Sequence, residues 1–290
     1  MAVATQAKTV DFDVAPLSRH IGAELRGIDL RHKPDAETVR AIYQAWLDHL
    51  VIVFPGQDLS QEDLVRVTGY FGEIGELHRP PKYFPKGYAN LLPGIMLISN
   101  IRQNGEPIGA LPDGEMMFHH DMIHAEVPSK GTLLYSVEIP STGGNTLFAS
   151  GYAAYDTLDP AVRAPLEGRN ALHHYHYGST VRGDGRGTEA FGECVHPVFR
   201  THEDTGRKAV YVNRLMTVKI SDLPEDESAR LLNLVWDHCE RREFVYEHVW
   251  RKGDLLLWDN RCSSHARTDF PSTQRRLMLR TTVKGAVKPY

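Results

Sequence analysis

The chain has 290 residues, 41% hydrophobic and 24% charged, a balance that excludes disordered, collagen-like and coiled-coil chains. A fold of this length buries enough apolar surface to need no metal or disulfide staple, so a metal here would serve chemistry. Lys plus Arg total 33 against 37 Asp plus Glu, a formal net charge of -4; with no global positive field for nucleic acid or an acidic membrane, the expected partner is a small molecule. Cys194, Cys239 and Cys262 show no CxxC spacing, no apolar leader opens the chain, and no apolar run is long enough to cross a membrane, so a reducing cytoplasm is the expected setting.

No repeat or linker divides the sequence, which predicts a single domain over 1–290. Apolar Val39, Ile42, Ala45, Trp46 and Leu50 recur at helical spacing and predict a helix over 36–50. LVIVFP, 50–55, reads as a buried strand closed by Pro55 and Gly56. Ser60, with Glu62 and Asp63 behind it, opens a second helix over 60–71. From about 73 to 118 Pro, Gly, Asn and charges replace periodicity, apart from IMLI at 95–98, and such a segment reads as a lid or binding loop. Strands follow at 132–139, 146–150, 171–177, 208–213, 244–250 and 254–259, interrupted by helices over 151–168 and 224–240 and by a second loop at about 177–193. Many short strands and few helices predict a β-rich α+β fold of jelly-roll type. Neither GxGxxG nor GxxxxGK[ST] occurs, so no nucleotide cradle is expected.

Fifteen histidines are a rich supply, although most histidines only make hydrogen bonds. In MFHHDMIH, a strand period of two sends His119 and Asp121 to one side and His120 to the other. An imidazole and a carboxylate so placed can share a divalent ion, and a third ligand would complete a facial triad of the kind that suits non-haem Fe(II) and oxygen. HxD alone is a weak pattern. The third ligand should be His265, beyond the strand and polar turn of GDLLLWDNRCSSH; its plainer reading is a loop histidine. In QRRLMLRTTV, Arg276 and Arg280 are four apart and share a strand face. Two inward guanidiniums need anions, because a buried charge must be paired.

The chain resembles the taurine dioxygenase family of Fe(II)- and 2-oxoglutarate-dependent oxygenases. The likeness runs through IGAELRGIDL, HLVIVFPGQ, HHD, PSTGGNTLFAS, HPVFRTHEDTGRKAVYVN, GDLLLWDNRCSSH and RRLMLRTTV. It implies a double-stranded β-helix (jelly roll, clavaminate-synthase-like) with flanking helices. It implies iron ligands His119, Asp121 and His265, with Arg276 and Thr146 holding the far carboxylate of 2-oxoglutarate; the plainer reading of Thr146 is a strand residue chosen for β-propensity. With O2 as co-substrate, the keto acid would decarboxylate to succinate and the substrate would be oxidised. The carboxylate of Asp121 favours hydroxylation over halogenation, since halogenating relatives lack it.

For the substrate, Arg280 resembles a position that holds an anionic group, with a brace to the keto acid or a nearby acidic residue as the alternative. His78 and Tyr83 resemble substrate-touching positions, but extra residues separate Phe71-Gly72 from His78, and Phe118 replaces the usual Trp before the first ligand. These departures argue against taurine itself. The reading is hydroxylation of a small or medium organic acid, such as a sulfonate, aryloxy acid or alkyl sulfate, with cleavage of a C–S or C–O bond where the hydroxylated carbon bears a leaving group. A bulkier terpenoid or amino-acid-derived acid, hydroxylated or desaturated in biosynthesis, is the alternative; a non-catalytic metal-binding jelly roll is the rival from another class. A homo-oligomer is expected. Arg182 and Arg186 are read as anion contacts on the second loop, and His173, His174 and His176 receive no assigned role.

Overall fold

The computed structural model describes residues 12–76, 90–111, 114–183 and 190–290. Its elements are, in chain order, β1 (Asp13–Pro16), β2 (Ala23–Arg26), α1 (Ala36–His49), β3 (Val51–Phe54), α2 (Gln61–Thr68), β4 (Met96–Ser99), β5 (Arg102–Gln103), β6 (Glu106–Pro107) and β7 (Met116–His119). There follow β8 (Gly131–Glu138), β9 (Thr146–Ser150), α3 (Gly151–Thr157), α4 (Pro160–Arg163), β10 (Asn170–His176), β11 (Ala190–Pro197), β12 (Phe199–Thr201) and β13 (Lys208–Val210). The last are β14 (Thr217–Ile220), α5 (Glu225–Cys239), β15 (Val245–His248), β16 (Leu255–Asp259), β17 (Ser263–Arg267) and β18 (Leu277–Val283). This is the β-rich fold with few helices that the sequence predicts. Among the described residues no helix is long and apolar enough to cross a membrane.

The large sheet runs β1-β2-β3-β16-β8-β18-β4 and so draws strands from both ends of the chain. VIVF and LLLW show no polar alternation because both faces of this sheet are covered. Ile52, Phe54, Leu133, Leu255 and Leu257 pack under Trp46 of α1 and Leu64 and Val67 of α2. The alternate residues Val51, Val53, Leu134, Leu256 and Trp258 pack on the other side with Phe148 of the smaller sheet, ordered β15-β9-β17-β7. Phe148 and Trp258 meet with ring centroids 5.4 Å apart, so the two sheets share an apolar layer. The helix starts follow their caps: Asp35 accepts from the Thr38 amide at 2.8 Å, and Ser60 and Asp63 form a capping box.

Several expectations need correction. The helix expected over 151–168 is divided at Asp159-Pro160, where the proline cannot continue the hydrogen-bond ladder and the Asp159 side chain starts α4 by accepting from Ala161 N at 2.8 Å. The helix expected to 71 ends at Thr68, and the strand expected over 208–213 leaves its ladder after Val210. The segment 73–118 is not uniformly irregular, since β4 joins the large sheet against β18 and β7 edges the small one against β17. The loop expected at 177–193 gives way at Ala190 to β11, which pairs along β10. The plainer reading of His265 as a loop histidine gives way to the neighbouring strand expected for the third ligand: after the polar turn it lies at the centre of β17.

Candidate active site

The pairing of β7 with β17 sets His119 directly opposite His265, ring centroids 4.1 Å apart. β7 ends at His119, and the turn after it, with Met122 at φ 60, brings Asp121 back to the same side. The carboxylate Oδ2 lies 3.8 Å from His265 Nε2. One ligand atom each from His119, Asp121 and His265 falls within 4.8 Å of the others, and all three residues are buried. His120 is turned away, as the period of two predicts; its ring packs 4.8 Å from that of Tyr211 and meets the Asn213 amide at 3.2 Å.

The hydrogen bonds around this group leave it able to hold a cation. His119 Nδ1 lies 2.9 Å from the Met117 carbonyl, so it donates there and Nε2 keeps its lone pair, the usual tautomer control of a ligating histidine. Burial lowers the proton affinity of both His119 and His265, leaving neutral imidazoles. Burial alone would raise that of Asp121, but Arg280, His265 and His119, with a hydrogen bond from Thr132, overcome it and hold the carboxylate well below its ordinary range. Thr132 Oγ1 donates to Asp121 Oδ2 at 2.7 Å, Asn260 donates to Thr132 Oγ1 at 2.9 Å, and Trp258 Nε1 donates to Asn260 at 3.0 Å. This relay anchors the carboxylate to the large sheet. Two neutral imidazoles and one carboxylate are a donor set that fits Fe(II).

These residues open into a cavity of about 410 Å³ between the two sheets, whose wall also includes Thr146, Arg267, Arg276 and Arg280. Arg276 is 2% exposed and its Nε finds no partner among the described residues. Burial, with the Arg267 guanidinium nearby, pushes it down to about 9, the mark of a buried cation ready for an anion. Thr146 opens β9, and its Oγ1 accepts from Trp250 Nε1 at 3.0 Å. Arg280 donates from Nη2 to Asp121 Oδ1 at 2.7 Å. That is the acidic-residue brace kept as an alternative, although the side chain still faces the cavity.

The structure does not bring every expected residue to this wall. Phe118, half-buried on β7, does not line the cavity; its carbonyl accepts from Leu215 N at 3.3 Å. His78, Tyr83 and Arg186 lie outside the described residues. Arg182 turns away, its guanidinium 5.0 Å from the Trp236 ring centroid and bonded to the Thr217 carbonyl. His173 is buried against Thr217 Oγ1 at 3.1 Å, and the rings of His174 and His176 lie 4.3 Å apart; among the described residues none belongs to a convergent ligand group. A second such group, His202, Asp259 and Cys262, is already committed to a hydrogen-bond network. His202 Nδ1 accepts from the Asp204 and Thr205 amides, Nε2 donates to Asp259, and Arg261 occupies both Asp259 oxygens. Burial holds the Cys262 thiol above its ordinary value, consistent with a packing role. Sequence reasoning missed Tyr175, Met96 and Met216 on the wall and Thr132 behind Asp121, for nothing local distinguishes them from core.

The chain belongs to the taurine catabolism dioxygenase TauD, TfdA family, whose sequence profile matches residues 13–282. It is 31% identical to the (S)-phenoxypropionate/alpha-ketoglutarate-dioxygenase of Sphingobium herbicidovorans, over 94% of this chain and 95% of the relative. It is 33% identical to pentalenolactone F synthase of Streptomyces avermitilis, over 89% of each. The solved structure of AAD-2 in complex with Mn(II) and N-oxalylglycine superposes with a TM-score of 0.80 at 28% identity, covering 96% of this chain and 99% of that one. The protein is accordingly an Fe(II)- and 2-oxoglutarate-dependent dioxygenase that takes O2 as co-substrate.

Proposed function

We propose that His119, Asp121 and His265 hold the ferrous ion, that Arg276 and Thr146 hold the far carboxylate of 2-oxoglutarate, and that the rest of the cavity takes an organic acid for hydroxylation. The observation that carries this reading is the meeting of a buried neutral-imidazole and carboxylate group with a buried, underpartnered arginine in one cavity. Bound there, Fe(II) with 2-oxoglutarate and O2 supplies the oxidising power, and succinate and CO2 are released. The protein's part is positioning and exclusion of water. Arg276 presents a planar fork suited to a carboxylate. Thr132 and His119's bond to Met117 fix the ligand orientations, and the apolar layer of Phe148 and Trp258 shields the floor.

The substrate class we favour is a medium-sized acid with an apolar body, because Met96, Ile98, Leu111, Met116, Met122 and Met216 line the cavity beside Arg280. Where the hydroxylated carbon bears a sulfonate, sulfate or ether oxygen, collapse of the product would cleave that bond. The same apolar wall, with the likeness to pentalenolactone F synthase, favours as second reading a biosynthetic oxidation of a bulkier terpenoid acid. We further infer one domain built as a double-stranded β-helix, from two packed sheets and strands of both chain ends in one sheet. A cytoplasmic homo-oligomer is part of the same reading; its three cysteines are free. Succinate release measured over aryloxy acids, alkyl sulfates, sulfonates and terpenoid acids tests the function. Release stimulated by one class identifies it; equal basal release with every class would sink the organic-acid reading.

A further inference from the structure

We propose that Arg280 couples the binding of an organic anion in the cavity to the affinity of the triad for its metal. It is a positioning residue that acts through Asp121, and the proposal rests on the metal-site reading above. The guanidinium is one rigid planar group with two ends. Nη2 donates to Asp121 Oδ1 at 2.7 Å. Nη1 meets Met96 Sδ at 4.0 Å, and a thioether is a weak acceptor. The side chain is 19% exposed and forms part of the cavity wall. One end therefore holds a ligand of the triad while the other presents a poorly satisfied donor to the space where the acid binds.

This arrangement places a fixed positive charge beside the position of a divalent cation, in a buried setting where charges act strongly on one another. Arg280 pairs with the buried Asp121 carboxylate, yet it also opposes an incoming cation and occupies one carboxylate oxygen. An anion bound to Nη1 neutralises that charge or draws the guanidinium off Asp121, and either change strengthens the hold on the metal. Thr132 remains on Oδ2 at 2.7 Å, so Asp121 keeps its orientation while Arg280 adjusts. By linkage the effect is reciprocal: metal strengthens the acid as much as acid strengthens the metal. Substrate and metal thus favour each other without direct contact.

The test is a Mn(II) titration of the full chain without 2-oxoglutarate, free Mn(II) being followed by electron paramagnetic resonance, with and without millimolar 2-phenoxypropionate. In the wild type the acid should tighten Mn(II) binding by about fivefold or more, the usual span of such couplings, and the neutral 2-phenoxypropionamide should not. In Arg280→Gln the factor should fall to near one, and Arg280→Lys, which keeps the charge, should restore part of it. An unchanged factor in Arg280→Gln, or equal Mn(II) affinity with and without acid in the wild type, overturns the proposal. Should Arg280→Gln fail to fold, the acid-to-amide contrast in the wild type and the lysine variant decide. His265→Ala separates the two levels: if it binds Mn(II) as tightly as the wild type, the metal-site reading is what fails.

Discussion

Arg276 lies within the wall with no anion among its described partners, and its guanidinium is held close to that of Arg267. Supplying a carboxylate relieves a buried charge, so 2-oxoglutarate should raise the melting temperature by a few degrees at saturation, as any ligand that binds only the folded state does. Arg276→Ala should raise the 2-oxoglutarate requirement at least about tenfold, since a charge-assisted pair contributes roughly 1.5–3 kcal/mol. Isothermal titration with the keto acid checks this; unchanged affinity would move the carboxylate clamp elsewhere. At this scale the sequence is legible where chemistry is unusual for its place. A histidine pair, an acid and two strand arginines have no reason to be buried together unless they bind something. Thr132, Met96 and Met216 are invisible for the opposite reason: an inward Thr or Met is ordinary core, and only the fold reveals that Thr132 holds Asp121 and that the two methionines line the cavity.

Among the elements, the turn that feeds β9 links packing to the site most tightly. Gly143 and Gly144 take φ of 70 and 66, which favours glycine, and a Cβ on Gly143 would run into the Asp269 carbonyl. Gly144 donates its amide to Asp269 O at 3.1 Å, and a Cβ on it would stand 3.5 Å from Arg276 Nε. Gly143→Ala should cost about 1–3 kcal/mol in stability and weaken 2-oxoglutarate binding as well, because Thr146 and Arg276 flank the turn. Urea unfolding with keto-acid titration measures both, and a variant destabilised but binding normally would detach the turn from the site. The elements with continuous apolar runs, β3, β8 and β16, are readable in sequence. β17 is not: Ser-Ser-His-Ala-Arg has no apolar alternation, yet all five residues are buried, because polar side chains that converge on the cavity are themselves part of the buried face. α3 and α4 escape for a different reason, as one proline divides a continuous helical pattern.

For the molecule as a whole, the buried ionisable groups set a pH dependence whose sign follows from linkage. Burial pushes His120 down to about 3 and holds His119, His173 and His265 below their ordinary 6.5. The unfolded chain takes up protons on these residues that the folded chain refuses, so stability falls as pH drops below about 6.5. Burial would raise Asp121 and Asp259, but Arg280 and Arg261 respectively outweigh it and hold them below the ordinary 3.8, which adds a second loss as the pH falls further. The metal-free protein should lose up to about 1.4 kcal/mol per group per pH unit across these windows, and urea midpoints at pH 7.5, 5.5 and 4.5 would register the histidine part; a flat profile would contradict the neutral, buried histidines. The β-rich class was legible from strand frequency, whereas the pairing that carries His265 onto His119 joins residues far apart in sequence and leaves no local trace.

The most direct measurement is anaerobic Fe(II) titration by calorimetry of the wild type and of His119→Ala, Asp121→Ala and His265→Ala, with circular dichroism verifying each fold. One ion per chain in the wild type, and affinity lowered by orders of magnitude in each folded variant, is the predicted result. A folded His265→Ala that binds Fe(II) as tightly as the wild type would contradict a shared site for the three side chains.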